Sequence, residues 1–234
     1  TRILIDAGFS AKEVETRLSQ IGVDVKTIDG LVLTHEHSDH IRGIGVLARR
    51  YDIPVYSNEG TFTGGRNHLG NIPVKKTVET GDVFELGSFR IRPFSIPHDT
   101  NDPVGVVVKN GGAQFAIVTD LGYVTSQVRE AVRGSNILFL EANHDLNMLV
   151  SGPYPWELKQ RIKGRFGHLS NDDSFHFLEE SLHCDMTTVV LGNLSQTNNH
   201  RDLVQCRADQ VLSQQPSVDY EIARQDRPGI IHSI

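Results

Sequence analysis

The sequence predicts an α/β protein: two mixed β/α halves flank a β meander, giving two sheets packed together with helices outside. Three observations predict it. Short β-rich runs alternate with amphipathic stretches toward both ends of the chain. Four β runs follow one another in the middle, separated by Gly, Asn or Pro turns. No heptad, repeat period or low-complexity tract points elsewhere.

Residues 1–5 read as a strand. Ser10-Ala11-Lys12-Glu13 is a capping box that opens a helix to about Gln20. A strand over 30–34, a helix over 40–50 and a short strand over 53–56 follow, and 60–70 reads as irregular or weakly helical. The meander takes 83–86, 89–96, 104–109 and 114–119. Asn110-Gly111-Gly112 forms its hairpin turn, because Asn and Gly tolerate positive φ. Beyond it the pattern predicts helices over 125–132, 170–182 (opened by Ser170) and 202–213, and strands over 137–141 and 187–191.

With 234 residues, 38% hydrophobic and 22% charged, the chain is long enough to bury a large core as one domain spanning 1–234. A net charge of -6 excludes a basic coat for nucleic acid, so any such contact must use a local patch. Cys184 and Cys206 are too far apart for a disulfide framework and lack neighbours for a metal site, and they read as core or near-core thiols. No apolar run approaches the about 18 residues that span a bilayer, and no signal-type segment opens the chain, so no membrane partner is expected and a cytoplasmic location is the default. The chain begins at Thr1 inside the run Ile3-Leu4-Ile5 and reads as trimmed at the front.

Chemistry concentrates in Leu31-Val32-Leu33-Thr34-His35-Glu36-His37-Ser38-Asp39-His40, where an apolar strand runs straight into three histidines and two acids. In extended backbone, positions i and i+2 share a side, so His35 and His37 can face one metal ion, with Asp39 and His40 brought toward a neighbouring position. Imidazole with carboxylate suits zinc, manganese or iron. His98 after Ile96-Pro97, Asp120 after Ile117-Val118-Thr119, and Asp6 after Ile3-Leu4-Ile5 also stand where strands stop. Each alone is an ordinary turn former. Together with the histidines they make a candidate ligand set.

Asp6, His35-x-His37-x-Asp39-His40, His98 and Asp120 occur in an order and spacing that resembles the metallo-β-lactamase superfamily over essentially the whole chain. The resemblance implies an αβ/βα four-layer sandwich with a divalent-metal site, one or two ions of zinc or manganese, at one edge. His35, His37 and His98 would hold the first ion and Asp39 and His40 the second. Asp120 would bridge them, and Asp6 would orient a ligand histidine from behind. Glu141-Ala142-Asn143-His144-Asp145, Gly167-His168-Leu169-Ser170-Asn171 and Leu194-Ser195-Gln196-Thr197-Asn198-Asn199 are similar to the YycJ/WalJ branch, which is associated with DNA exonuclease activity. By analogy with tRNA 3′-processing endonucleases, His168 would be the general acid and Glu141 its support. The interval between Asp120 and Asn193 is too short for a β-CASP insert. Asn193 stands where the branch has a ligating His, and its neutral carbonyl oxygen would be a weaker ligand. His183 and His200, both on predicted helices, are nearby alternatives.

Lys159, Arg161, Lys163 and Arg165 alternate just before His168, where they either meet the phosphates of nucleic acid or form a solvated loop. Asn198 joins them as a candidate substrate contact. Tyr154 and Trp156 upstream either stack a base or pack a loop, and Arg42, Arg49 and Arg50 form an exposed helix face. The expected function is a metal-dependent nuclease in which a metal-activated hydroxide attacks a phosphodiester, with DNA as partner. One rival is a thioester or lactone hydrolase of the glyoxalase II type, which should lack the Gly167-His168 and Leu194-Ser195 motifs. The other is a nucleic-acid-binding module with a degraded metal site, which has no reason to keep the remaining ligands. Because of Asn193, metal analysis should find fewer than two tightly bound ions per chain, and Asn193→His should raise occupancy. Two full-occupancy ions in the unmodified protein would overturn that expectation.

Overall fold

Runs of apolar and β-branched residues too short for helices become strands, and each capped amphipathic stretch becomes a helix. The protein is described by a computed structural model covering residues 1–233. Thr1–Ser95 with Thr100–Asn110 form one compact unit, and Ile96–Asp99 with the chain from Gly111 onward form a second. Its strands fall into two sheets.

The first unit contains β1 (Ile3–Ile5), α1 (Ala11–Gln20), a 3-10 turn (Val25–Thr27), β2 (Gly30–Val32), α2 (Ser38–Ile41), α3 (Ile44–Tyr51), β3 (Val55–Ser57), α4 (Glu59–Gly64), α5 (Arg66–Leu69), β4 (Lys75–Thr77), β5 (Phe84–Leu86), β6 (Phe89–Ser95) and β7 (Val104–Asn110). Strands β1-β2-β3-β4 form a parallel sheet, with Leu4 beside Leu31 and Leu31 beside Val55. Strands β5, β6 and β7 pair antiparallel. Ser10 caps α1 by accepting from the Glu13 amide, while the Glu13 carboxylate pairs with Arg17 at 2.7 Å, so the capping box is formed on one side. Leu31, Leu33, Ile41, Ile44, Leu47 and Phe62 make the core of this unit. The rings of Tyr56 on β3 and Phe84 on β5 stack at 5.3 Å and tie the two sets of strands together.

The second unit contains β8 (Ala113–Val118), α6 (Ser126–Val132), β9 (Ile137–Glu141), α7 (Leu146–Ser151), α8 (Trp156–Ile162), α9 (Asn171–Ser181), β10 (Thr188–Gly192), α10 (Arg201–Leu212) and β11 (Asp219–Ile222). Strands β8, β9, β10 and β11 are neighbours in that order and parallel throughout. Parallel strands point their carboxyl ends the same way, and so collect the residues that follow them along one edge. Thr125, Asp145 and Ser170 cap α6, α7 and α9 through their side-chain oxygens.

Several expectations shift. The helix expected over 40–50 is two helices, broken at Arg42-Gly43. Gly43 donates its amide to the Ala7 carbonyl at 2.8 Å. Two short helices occupy 60–70. The fourth run of the meander, β8, pairs parallel with β9. Strands β4 and β11 and helices α7 and α8 had no sequence signal strong enough to place them. The two cysteines are exposed, contrary to the core reading. Cys206 lies on the face of α10 opposite Val204, Ala208 and Val211, and Cys184 lies in the turn beyond α9. His183 also lies beyond α9, beside the Ser135 carbonyl at 3.1 Å, and His200 caps α10, so neither is on a helix as expected. Arg42, Arg49 and Arg50 are exposed as expected. Among the described residues no helix is long and apolar enough to cross a membrane.

A Cβ at Gly43 would lie 2.6 Å from the Phe9 carbonyl oxygen and 3.1 Å from that of Ala7, whereas one at Gly112 would meet nothing within 4 Å. Gly43→Ala should therefore cost about 1–3 kcal/mol in denaturant unfolding, and Gly112→Ala less than about 0.5 kcal/mol. Equal midpoints for the two variants would contradict this account of the helix break.

Candidate active site

In the first unit the site is built where β1 and β2 end. Asp6 leaves β1 in the left-handed region, at φ 58. That conformation is uncommon outside glycine and is tolerated best by Asn and Asp. It carries the carboxylate to the next strand's exit, where Oδ1 accepts from the Thr34 amide (2.9 Å) and Oδ2 from the Thr34 hydroxyl (2.7 Å). Asp6 Oδ2 also lies 2.8 Å from Nδ1 of His40. The Thr34 hydroxyl, its proton given to Asp6, is left as acceptor toward His35 Nδ1 at 3.0 Å. Both histidines thus keep a proton on Nδ1 and reserve the Nε2 lone pair. His35 is 0% exposed, with its ring 4.9 Å from that of His37 and 4.0 Å from that of His40. The Asp39 side chain, by contrast, is 75% exposed, its carboxylate 4.0 Å from His40 Nε2.

In the second unit the site lies at the carboxyl ends of three parallel strands. His98, Asp120 and His168 each bring a ligand atom to within 4.8 Å of the others. His98 is buried, with Nδ1 3.1 Å from the Gly167 carbonyl. Asp120, just past β8, and Asn193, just past β10, repeat the left-handed exit of Asp6, at φ 60 and φ 55. Glu141 is the last residue of β9 and is fully buried. Its Oε1 lies 2.7 Å from His168 Nδ1, and its Oε2 accepts from the amides of Leu121 and Leu169, both at 3.2 Å. Burial pushes the Glu141 carboxyl up, and the neighbouring imidazole opposes that. Burial works against charge on His168 as well, but the Glu141 carboxylate and Asp120 outweigh it and push the imidazole up to about 9.

Asn193 was expected to offer a carbonyl oxygen to a metal ion. Its amide turns the other way: Nδ2 donates to Asp120 Oδ1 (2.7 Å) and to Glu141 Oε1 (2.8 Å). Between two carboxylates only the donor end of the amide is favourable. Asn193 is held there by Asn143, whose Nδ2 donates to its backbone carbonyl at 2.8 Å.

Among the candidate substrate contacts, Lys159 and Arg161 lie on α8, where spacing by two does not share a face. Lys159 Nζ donates to the carbonyls of Val150 and Gly152, both at 2.7 Å, and Arg161 pairs with Asp99 at 2.5 Å. Lys163 and Arg165 lie beyond, at the exposed turn. Asn198 is fully buried, and neither of its amide atoms has a hydrogen-bond partner among the described residues. His144, in the same set of motifs, is buried too, and burial beside His168 pushes it down to about 4, so it is neutral at pH 7. Sequence reasoning missed Thr34, Asn143 and the Gly167 carbonyl. All three stand inside the motifs singled out from the sequence, but without an assigned role.

Taken unit by unit, the donors suit a divalent ion. His35, His40 and His98 each have Nδ1 engaged by a hydroxyl, carboxylate or carbonyl oxygen, the arrangement that fixes metal-ligating histidines for coordination through Nε2. A carboxylate at Asp120 adds the anionic oxygen that zinc and manganese both accept.

The family described as "Beta-lactamase superfamily domain" matches residues 1–182. The chain is 37% identical to the exodeoxyribonuclease YycJ of Bacillus anthracis over 91% of this chain and 81% of that protein. It is equally 37% identical to the exodeoxyribonuclease WalJ of Streptococcus pneumoniae, over 86% of this chain and 77% of that one. Among solved structures, the metallo-β-lactamase fold protein YhfI from Bacillus subtilis superposes with a TM-score of 0.72 at 17% identity, covering 95% of this chain and 84% of YhfI, which shows the shared fold.

The Asp6 carboxylate only accepts, and so keeps the His40 proton on Nδ1. In Asp6→Asn an amide donor can face that nitrogen and drive the proton to Nε2. Metal affinity, measured by competition with a chromophoric chelator, should fall about 10- to 100-fold. Unchanged affinity would remove Asp6 from the support of the site.

Proposed function

The chain belongs to the metallo-β-lactamase superfamily, in its YycJ/WalJ-like branch, and on that premise we propose that it is a divalent-metal exodeoxyribonuclease. The observation that carries the reading is the His168–Glu141 pair beside Asp120. We assign His35, His37 and His98 to one ion, Asp39 and His40 to a second, and Asp120 to both. With its amide nitrogen turned to Asp120, Asn193 acts in this proposal as a clamp on two carboxylates, which leaves the second ion weakly held and suits a hard ion such as manganese better than zinc. When bound, the ions stabilise developing negative charge and lower the pKa of water.

The protein's own groups supply the rest. With Nδ1 fixed on Glu141, His168 presents Nε2, and its raised pKa keeps a proton there at neutral pH. That proton goes to the departing sugar oxygen. Lys163 and Arg165 take neighbouring phosphates, while Lys159 and Arg161 fasten the segment that carries them. Asn198 acts from beneath, by shaping the loop after β10.

His168→Ala should keep its metal content while DNA turnover falls about 10²- to 10⁴-fold. Metal quantification paired with cleavage of end-labelled single- and double-stranded DNA, in zinc and in manganese, checks both halves. Unchanged turnover would remove His168 from the reaction, and no cleavage of any DNA by the unmodified protein would overturn the reading.

A further inference from the structure

A second cluster of positive charge lies in the first unit, away from the histidines. Residues 59–76 carry Arg66, Lys75 and Lys76 against a single acid, Glu59, in a chain whose net charge is -6. Helices α4 and α5 and strand β4 line a pocket of about 400 Å³ there, within the size range of small-ligand sites. Its floor is apolar, made by the buried Phe62, Leu69 and Ile72, and the exposed Arg66 and Lys75 stand at its rim. Lys75 Nζ is held 4.2 Å from the centre of the Phe62 ring. Neither cation pairs with an acid among the described residues, and Glu59, also at the rim, accepts from the Thr63 hydroxyl at 3.4 Å.

One wall of the pocket is fixed in advance. Gly70 ends α5 at φ 64 and ψ -149, a region open essentially to glycine alone. Arg49 Nη1 donates across that turn to the carbonyls of Leu69 (2.7 Å) and Asn71 (2.9 Å). Helix α4 ties the pocket to the histidine motif. A Cβ at Gly60 would lie 2.7 Å from Asp102 Cβ, and one at Gly64 would lie 2.4 Å from Oε1 of Glu36, the residue between His35 and His37. Glu59, Phe62 and Thr63 lie on a different face of the same helix. A helix with its side chains is about 10–12 Å across, so a ligand in the pocket lies about one helix diameter from that motif.

We propose that this pocket binds a nucleotide through its phosphate, held between Arg66 and Lys75, with the sugar against the apolar floor. A carboxylate is satisfied by one guanidinium fork, whereas a phosphate has oxygens and charge enough for two cations. Inorganic phosphate would leave the floor unused. The choice of a nucleotide rests on the nuclease reading, since a nuclease meets that chemistry twice, in the DNA it holds and in the nucleotide it releases. Fixing the wall in advance avoids the cost of ordering it on binding.

The metal-loaded protein is acylated at lysine in the presence of dTMP, inorganic phosphate or a phosphorothioate DNA duplex, which resists cleavage, and Lys75 and Lys76 are read separately by mass spectrometry. dTMP should protect Lys75 saturably and leave Lys76 reactive, because successive residues of a strand face opposite ways. Inorganic phosphate should protect only at higher concentration. The half-protecting concentration of dTMP should rise roughly 10- to 150-fold in Arg66→Gln, with circular dichroism melting curves confirming that the variant is folded. Protection by the duplex as well as by dTMP would identify the ligand as DNA itself, and protection by dTMP without the duplex would identify a released nucleotide; either supports the proposal. Lys75 unprotected by dTMP, Lys76 protected equally, or protection undiminished in Arg66→Gln would overturn the pocket, and DNA still cleaved by the same protein would leave the nuclease reading standing. Protection of Lys75 by dTMP in a protein that cleaves no DNA would overturn the nuclease reading and leave the pocket.

Discussion

A carboxylate with no access to water has to be satisfied from within, and Glu141 is such a carboxylate. Four donors converge on it: the amides of Leu121 and Leu169, the Asn193 amide nitrogen and the His168 ring. These come from the exit of β8, the approach to α9 and the exit of β10, so one buried charge fixes three chain segments against the end of β9. Loss of one partner of such a group is strongly destabilising, about 3–5 kcal/mol, because the other is left buried and uncompensated. Ser174 on α9 adds a hydrogen bond to the Glu141 backbone carbonyl, tying the helix to the same point. The carboxylate that holds His168 in the proposed reaction and the clamp that the fold needs are therefore the same residue.

The strand exits share a second device. Asp6, Asp120 and Asn193 each turn the chain through the left-handed region directly after a strand or one residue beyond it. Glycine would turn there more freely but would bring no side chain. Asp and Asn accept some strain and in return place a carboxylate or amide at the sheet edge. The same solution appears in both units, once behind His40 and twice beside His168.

What could be read from residue order follows from range. His35-x-His37 was legible because a period of two and an apolar strand are local facts. The capping box at Ser10 and the cap at Ser170 were legible for the same reason. The break at Gly43 was not, since it is set by carbonyls of residues 7 and 9 on a different segment. Strand β4 is three exposed residues, Lys75–Thr77, defined only by pairing with β3. Alternating Lys and Arg before His168 left phosphate contacts and a solvated loop both open, and the helix α8, which carries Lys159 and Arg161, had no signal in that spacing. Asn193 was identified as a departure from its branch, yet which end of its amide faces the site depends on Asp120 and Glu141, both distant in sequence. Asp39 stood out in the motif as strongly as His40, and only the structure separates the exposed acid from the histidine held by Asp6.

The pair of His168 and Glu141 also separates the candidate chemistries. A thioester releases a thiolate, whose conjugate acid has a pKa near about 8.5, so it departs at neutral pH without help. A phosphodiester releases a sugar alkoxide, a far stronger base that must be protonated as it leaves. A thioester hydrolase gains little from a fully buried carboxylate whose main partner is an imidazole that it keeps charged. Among the described residues, His168, Asn193 and two amides offset the desolvation of that carboxylate. Burying such a pair costs desolvation free energy, and what it provides, a protonated His168, is what a phosphodiester leaving group needs. A leaving group that requires a proton thus accounts for a buried pair that a departing thiolate would not need.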